Sequence, residues 1–154
     1  MLMAIDSREP YEIYEEFKTL SETVDDLKVI RKKLDTGDYL TEHFIIERKT
    51  LDDLISSMFP KKDSEYERLD SQLDRLVQMK QPIKILLITG SNFEDAYSGI
   101  NEHSFNGKLA KIPFKWEGVQ VQIISESNDW IDYVYRLCRM ANKYGAESQH
   151  QTCL

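Results

Sequence analysis

The residues of this sequence best suited to chemistry are three acids and a lysine that lie close together in the chain. Asp38 follows a glycine turn, Glu47 lies two positions before Lys49, and Asp53 lies four positions after that lysine. Two carboxylates can hold a divalent cation, and a lysine beside them can serve a phosphate that is attacked by water. The pattern therefore predicts a metal-dependent phosphodiesterase. Surface salt bridges produce the same pattern, and the pattern by itself leaves that alternative open.

Strand geometry predicts which of these side chains lie together. Side chains alternate along a strand, so Glu47 and Lys49 project from one side, roughly 7 Å apart, and Arg48 from the other. Asp38 can reach the first side from the neighbouring strand, and two carboxylates, the Arg48 carbonyl and waters suit Mg²⁺. Lys49 would orient or deprotonate the attacking water, or neutralise charge in the transition state. Asp53 would orient Lys49 or Arg48, or act only as a charge at a helix start.

The elements that must position these residues alternate between strands and helices. Ile45 and Ile46 directly precede Glu47, so the charged residues continue a buried strand, where charges need partners or a metal. Hydrophobic periodicity predicts strands over residues 1–5, 27–34, 38–40, 44–49, 83–89 and 119–124. It predicts helices over residues 11–20, 50–59 (with Thr50 as N-cap), 65–79, 103–112 and 128–143. This alternation predicts an α/β fold with a central mixed β-sheet flanked by helices.

Length and composition are those of a single soluble domain. The chain has 154 residues, of which 41% are hydrophobic and 31% charged, and no apolar run approaches membrane-spanning length. We expect one domain over residues 1–144 and a disordered polar tail over residues 145–154. The N-terminus lacks a secretory signal, and two cysteines suggest no disulfide framework. We therefore expect an intracellular protein, in the cytoplasm of a prokaryote or host cell or in a eukaryotic nucleus.

The net charge of −7 argues against simple nucleic-acid binding, but the acids are unevenly distributed. Residues 1–26 carry eight acids and two bases, a net of −6, so the remainder has a net of −1. Basic residues cluster elsewhere, and a chain of this sign can present a local basic path to phosphates; solvated surface charge is the alternative for each cluster. The three histidines match no zinc spacing, and no glycine-rich phosphate loop follows a strand, which argues against a zinc site and against nucleotide hydrolysis.

These residues and the segments around them resemble the XPF/Hef family of structure-specific endonucleases. Gly37-Asp38, Glu47-Arg48-Lys49 and Asp53 match the family's GD…ERKxxxD signature. Five further segments are similar to family patterns and occur in the same order: 5–9 (VDxRE), 34–40 (LxxGDYxL), 53–57 (DLxxS), 68–72 (RLxxQ) and 85–90 (LLIEG, with Thr89 in place of the usual acid). The resemblance covers residues 4–143.

The resemblance implies a restriction-endonuclease-like core and an endonuclease that cuts branched DNA at flaps, forks and junctions with Mg²⁺ or Mn²⁺. It implies that Asp38 and Glu47 are metal ligands and that Lys49 is the catalytic lysine, supported by Arg48 and Asp53. Water attack would leave a 5′-phosphate and a 3′-hydroxyl. Such an enzyme would act in DNA repair or recombination.

The resemblance also assigns residues around this centre. Asp6, Arg8 and Glu9, at the end of the first strand, would line the same site. Arg68 and Gln72, one helical turn apart, would contact DNA or brace the active-site helix, and a solvated polar face is the alternative for both.

The expected partners are branched DNA and a second protein subunit, with no membrane. Family members usually carry a tandem helix-hairpin-helix domain after the nuclease, for which this chain has no room. DNA affinity would then come from a partner that bears this domain, from a homodimer or heterodimer, or from a missing segment of a longer protein. Family nuclease domains pair through their surfaces, and four aromatic residues are candidates for that interface, with core packing as the alternative: Trp116, Trp130, Tyr133 and Tyr135.

Two other functions stay open. One is a non-catalytic scaffold subunit of a nuclease complex. The other is a different nuclease of the same fold, such as a junction resolvase or a restriction enzyme. Degenerate family members lose the acids or the lysine, and this chain keeps all of them, which favours activity over a scaffold.

Overall fold

A six-stranded mixed β-sheet forms the centre of the computed structural model, which describes residues 1–24, 26–59, 63–90, 101–125 and 129–152. The strand order is β2-β1-β3-β4-β5-β6. The strands are β1 (Leu2–Asp6), β2 (Lys28–Lys32), β3 (Tyr39–Leu40), β4 (Phe44–Thr50), β5 (Ile83–Thr89) and β6 (Val119–Ile124). Strand β3 is antiparallel to β1 and β4, and the other pairs are parallel, so the predicted mixed sheet is confirmed.

Within the described ranges, five helices cover the two faces of the sheet. They are α1 (Tyr11–Ser21), α2 (Leu51–Met58), α3 (Asp63–Val77), α4 (Glu102–Lys115) and α5 (Asp129–Thr152). Helices α1 and α5 pack on one face, where Phe17 and Trp130 join the apolar side chains of β1. Helices α2, α3 and α4 pack on the other face around Leu54, Leu73 and Phe105. The sheet is thus buried on both faces, as parallel strands require.

Strand β4 contributes to both cores and then carries the charged residues. Phe44 and Ile46 lie in the core beneath α1 and α5, whereas Ile45 lies in the core beneath α2 and α3. The alternation continues into the charged segment, so Glu47 and Lys49 face α2 and α3, and Arg48 faces the opposite side. The predicted separation of Arg48 from Glu47 and Lys49 is therefore confirmed.

Helix α2 begins where the sequence predicts it. The Thr50 side chain accepts a hydrogen bond from the backbone N–H of Asp53 at 3.1 Å, which makes Thr50 the N-cap. This cap turns the chain directly out of β4 into a helix. Lys49 and Asp53 are thereby held on either side of the strand–helix junction.

The last helix is longer than predicted. Helix α5 continues to Thr152, past the predicted end near Lys143 and through most of the segment predicted as a disordered tail, 145–154. The predicted helix end was wrong, because polar residues and a single glycine lower helix propensity without ending a helix. Gly145 instead meets the His43 ring so closely that an added Cβ would lie 2.5 Å from His43 Cε1. The division into a domain and a tail stays a prediction.

Smaller differences concern strand ends and two tryptophans. Strand β2 is shorter than the predicted 27–34. Residues 91–100, which separate the strand predicted over 83–89 from the helix predicted over 103–112, lie outside the described residues. Trp116 and Trp130 are both buried in the cores, so neither is available as the interface residue that we considered.

No helix in the described ranges is long and apolar enough to cross a membrane.

Candidate active site

The two predicted metal ligands face one cavity. The antiparallel register of β3 and β4 pairs Tyr39 with Ile46, which places Asp38 opposite Glu47 on the same side of the sheet. The Asp38 backbone N–H donates to the Ile46 carbonyl at 2.7 Å, and the Arg48 N–H donates to Asp38 Oδ2 at 2.8 Å. Asp38 and Glu47 both line a cavity of about 240 Å³. The antiparallel pairing of β3 and β4 therefore brings together two carboxylates that are nine residues apart in the chain.

A glycine makes this approach of the two strands sterically feasible. Gly37 has a φ of +81°, a region that side chains rarely adopt. A Cβ at this position would lie 2.7 Å from Ile45 Cγ1, which is far inside van der Waals contact. The glycine before Asp38 thus serves both the turn and the close packing of the turn against β4.

The cavity is walled by three parts of the chain. Beside Asp38 and Glu47, its lining includes side chains from the end of β1, from the turn before Asp38 and from helix α3: Asp6, Arg8, Asp35, Thr36, Gln72 and Arg75. Asp6, Arg8 and Gln72 were predicted near the site. Asp35, Thr36 and Arg75 were not. Arg75 follows Gln72 by three residues, so helical periodicity was the signal that would have found it.

The carboxylate pair is electrostatically poised for a cation. Burial and the neighbouring charge of Glu47 raise the pKa of Asp38 to about 7. Burial also raises the pKa of Glu47, against the opposing effect of Lys49 and Arg75. Because both carboxyl groups lose hydration and repel each other, a divalent cation between them would stabilise their ionised forms.

Lys49 lies beside Glu47 and is buried, with 6% of its surface exposed. Burial lowers the pKa of Lys49, and the nearby charge of Arg68 lowers it further, whereas Glu47 and Asp53 raise it. A buried lysine with a lowered pKa loses its proton more readily than a solvated lysine and is therefore better suited to accept one from water. Asp53 forms no ion pair with Lys49 among the described residues, although its charge raises the pKa of Lys49. An orienting role for Asp53 therefore stays a prediction, beside its role as a charge at the start of α2.

Arg48 and Glu9 form a partly buried ion pair on the other side of the sheet. Arg48 Nε and Nη2 donate to the two oxygens of Glu9 at 2.7 and 3.0 Å, and the guanidinium lies 4.6 Å from the Trp130 ring. The Tyr39 hydroxyl donates to Glu9 at 2.9 Å. Glu9 therefore does not line the cavity with Asp6 and Arg8, contrary to our expectation. It lies beyond the end of β1, so strand alternation no longer sets its direction.

Asp6 positions Arg8 at the cavity. Asp6 is buried, and its Oδ2 accepts from Arg8 Nε at 2.8 Å while its Oδ1 accepts from the Leu34 N–H at 3.0 Å. Arg8 Nη2 in turn donates to the Leu34 carbonyl at 2.7 Å. The hydrogen bond that Arg8 donates to Asp6 raises the pKa of Arg8. The guanidinium is thus fixed by two partners at the edge of the site.

The two residues predicted to contact DNA differ in their surroundings. Arg68 Nη2 donates to Ser57 Oγ at 3.3 Å, which connects α3 to α2 and corresponds to the bracing alternative. Gln72 lines the cavity, and its Oε1 is buried without a hydrogen-bond partner among the described residues. A buried acceptor without a partner is costly, so Gln72 is suited to meet a donor from water or substrate.

The donor set fits a hard, oxygen-preferring cation. Asp38 Oδ2 accepts a backbone hydrogen bond. Asp38 Oδ1 and the two Glu47 oxygens remain as possible metal ligands at the cavity. Over the described part of the chain, no group of three or more His, Cys, Asp or Glu residues forms a metal site. A cation held by two carboxylates would complete its coordination with water and phosphate oxygens, which is the arrangement that Mg²⁺ favours.

Comparisons with known proteins bear on this arrangement. The family model described as the ERCC4 domain matches residues 5–137. A comparison with curated protein sequences found no match. Two solved structures of XPF from Aeropyrum pernix share the fold at 24% sequence identity. The complex with DNA has a TM-score of 0.73 and covers 92% of this chain and 65% of that chain. The other has a TM-score of 0.75 and covers 95% and 64%.

This chain spans just under two thirds of the length of the two XPF chains. The fold likeness confirms the predicted restriction-endonuclease-like core, and the family match confirms the resemblance drawn from the GD…ERKxxxD residues. With a match over residues 5–137, the chain belongs to the ERCC4 domain family.

Proposed function

We propose that this protein is a divalent-metal-dependent endonuclease that cuts branched DNA at flaps, forks or junctions. The observation that carries the proposal is the placement of Asp38 and Glu47 in one cavity, next to the buried Lys49. Membership of the ERCC4 domain family and the likeness to XPF in complex with DNA support a nucleic-acid substrate.

Asp38 and Glu47 would hold Mg²⁺ or Mn²⁺, and the bound ion would supply an activated water and neutralise charge on the phosphate. Lys49 would donate a hydrogen bond to a phosphate oxygen or accept a proton from the attacking water. Its lowered pKa favours the second role, because it favours the neutral amine. Asp53 would hold the Lys49 ammonium in place. Hydrolysis would leave a 5′-phosphate and a 3′-hydroxyl.

Arg48 would act through the backbone rather than at the phosphate. Its side chain is anchored by Glu9 and Thr89 across the sheet, while its N–H fixes the Asp38 carboxylate at 2.8 Å. The contacts of the Arg48 side chain on one face of the sheet thus fix the Arg48 N–H, and this N–H orients the Asp38 carboxylate on the other face. We assign Arg48 and Glu9 as positioning residues.

The DNA would be held largely outside this domain. The chain has a net charge of −7, and a partner subunit that bears helix-hairpin-helix elements would supply the grip on the duplex. A homodimer or heterodimer within the cell is therefore the proposed working form.

The test is a cleavage panel of linear duplex, flap, fork and four-way junction in Mg²⁺ and in Mn²⁺. We expect cutting near the branch point of flaps or forks, no cutting in EDTA, and loss of cutting in Asp38→Ala, Glu47→Ala and Lys49→Ala. The exposed Glu117→Ala and Lys143→Ala are matched controls of the same charge change. Circular dichroism would confirm that each variant is folded.

Several outcomes would contradict the proposal. Full activity in all three site variants would reject the assigned chemistry. Equal cutting of linear duplex would indicate a restriction-type nuclease, and cutting of four-way junctions alone would indicate a resolvase. A folded wild-type chain that cuts nothing, yet activates a catalytic partner, would be a scaffold subunit.

A further inference from the structure

Helix α3 presents a polar stripe to the candidate active site. Arg68, Gln72 and Arg75 are separated by four and three residues, which places them on one side of the helix. Gln72 and Arg75 line the same cavity as Asp38 and Glu47. Arg68 is not among the residues that line the cavity, so the part of the stripe that faces the site is Gln72 and Arg75, roughly 5 Å apart along the helix axis at 1.5 Å per residue.

Arg75 differs from the other cations around the carboxylates because its guanidinium is exposed and uncommitted. Arg8 is held by Asp6 and by a carbonyl, and Arg48 by Glu9. Within the described residues, Arg75 makes no hydrogen bond and no ion pair, although its charge is felt at Glu47. A guanidinium that points into a cavity without a protein partner is available to a ligand.

The chemistry of this wall matches a phosphodiester. Guanidinium groups bind phosphate oxygens through paired, charge-assisted hydrogen bonds. A phosphate that enters a cavity lined by four carboxylates needs nearby positive charge. The part of this wall formed by Gln72 and Arg75 is long enough to meet one phosphate group beside the carboxylates.

We propose that Arg75 binds a backbone phosphate adjacent to the phosphate that is cut, with Gln72 beside it on the same wall of the cavity. The inference rests on the proposed function, since it takes DNA as the substrate of this cavity. Arg75 is a phosphate-binding residue whose contact is equally strong before and during the reaction. The competing explanation is that Arg75 serves only as a counter-ion that favours the ionised form of Glu47.

Single-turnover cleavage of a forked DNA, with enzyme in excess, distinguishes the two explanations. The half-saturating enzyme concentration and the maximal rate are measured at salt concentrations from 50 to 200 mM. The variants are Arg75→Ala, Arg75→Lys and the matched control Arg136→Ala. Arg136 is an exposed arginine of α5 whose ion pair with Asp132 is also exposed, so its loss changes the net charge equally. Because the Arg75 side chain is exposed, its truncation is expected to leave the fold intact.

For Arg75→Ala we expect the half-saturating enzyme concentration to rise about tenfold, with the maximal rate within about threefold of wild type. The dependence of log affinity on log salt should become shallower by about 0.7 to 0.9, the loss of one phosphate contact. Arg75→Lys should recover much of the affinity because it keeps the charge. Arg136→Ala should behave as wild type.

An unchanged half-saturating concentration in Arg75→Ala would overturn the inference while the proposed function stands. A fall in maximal rate at unchanged affinity would also overturn it and would assign Arg75 as the counter-ion of Glu47. A wild-type protein that neither binds nor cuts forked DNA would overturn the proposed function, and this inference with it.

Discussion

Replacing Asp38 by asparagine is expected to stabilise the metal-free protein while abolishing cleavage. Asp38 is partly buried, and its pKa is raised to about 7 by burial and by Glu47. Asparagine has nearly the same shape and can still accept the hydrogen bond from the Arg48 N–H. It removes the negative charge that the fold disfavours and one oxygen ligand that a cation would need.

The sign and size of the effect follow from the raised pKa. Between pH 4 and pH 7 the folded protein keeps a proton on Asp38 that the unfolded chain releases, so the free energy of unfolding falls as pH rises through this window. A carboxyl group shifted from 3.8 to about 7 costs at most about 4 kcal/mol at pH 8. Water in the cavity screens the charge, so we expect about 2 to 4 kcal/mol. Below pH 4 the cost disappears.

The assay is urea unfolding of wild type and Asp38→Asn in EDTA at several pH values from 4 to 8. The difference in free energy of unfolding between the variant and wild type should grow as pH rises. At pH 8 this difference would correspond to a melting temperature roughly 5 to 15 °C higher for the variant. Added Mg²⁺ or Mn²⁺ should stabilise wild type at pH 8 and leave the variant nearly unchanged. A variant that is less stable than wild type at pH 8, or a pH-independent difference, would refute a strained carboxylate at position 38.

Two further predictions concern residues that hold the site together. Arg48→Met should lower the free energy of unfolding by about 2 to 4 kcal/mol, because it leaves Glu9 partly buried without its cation. Urea unfolding at pH 7 measures this, and an unchanged midpoint would contradict the ion pair. Gly37→Ala should cost more than about 1 kcal/mol, because it strains a φ of +81° and drives a methyl group against Ile45. Thermal unfolding at pH 7 measures it, and Gly107→Ala, where the structure shows open space, is the matched control.

The central part of the site could be predicted because it depends on local rules. Alternation along one strand assigns Glu47 and Lys49 to one side and Arg48 to the other, and the Thr50 cap fixes where the next helix begins. Asp38 was placed opposite Glu47 because a glycine turn connects it to the neighbouring strand. Each of these inferences uses residues that are adjacent in the chain or in a β-hairpin.

The remainder depends on contacts between distant segments, which periodicity does not encode. Glu9 was expected at the cavity because it follows Asp6 and Arg8 in sequence, yet Arg48 and Tyr39 bind it on the opposite face. Arg75 lies one helical turn from Gln72, but only tertiary packing shows that this side of α3 lines the cavity. Helix α5 continues through Gly145, and this glycine packs against His43, a residue distant from it in the chain.

The charges of the cavity explain why a cation and a free arginine belong together. Its lining carries four carboxylates and two guanidinium groups, and one of those guanidinium groups is already bound to Asp6. With the carboxylates ionised, the wall is therefore negative and would repel a phosphodiester. A divalent cation between Asp38 and Glu47 would remove most of that excess, and the Arg75 guanidinium would remain for the incoming phosphate. DNA affinity should consequently depend on metal more steeply in Arg75→Ala than in wild type, because the variant has no other uncommitted cation on that wall.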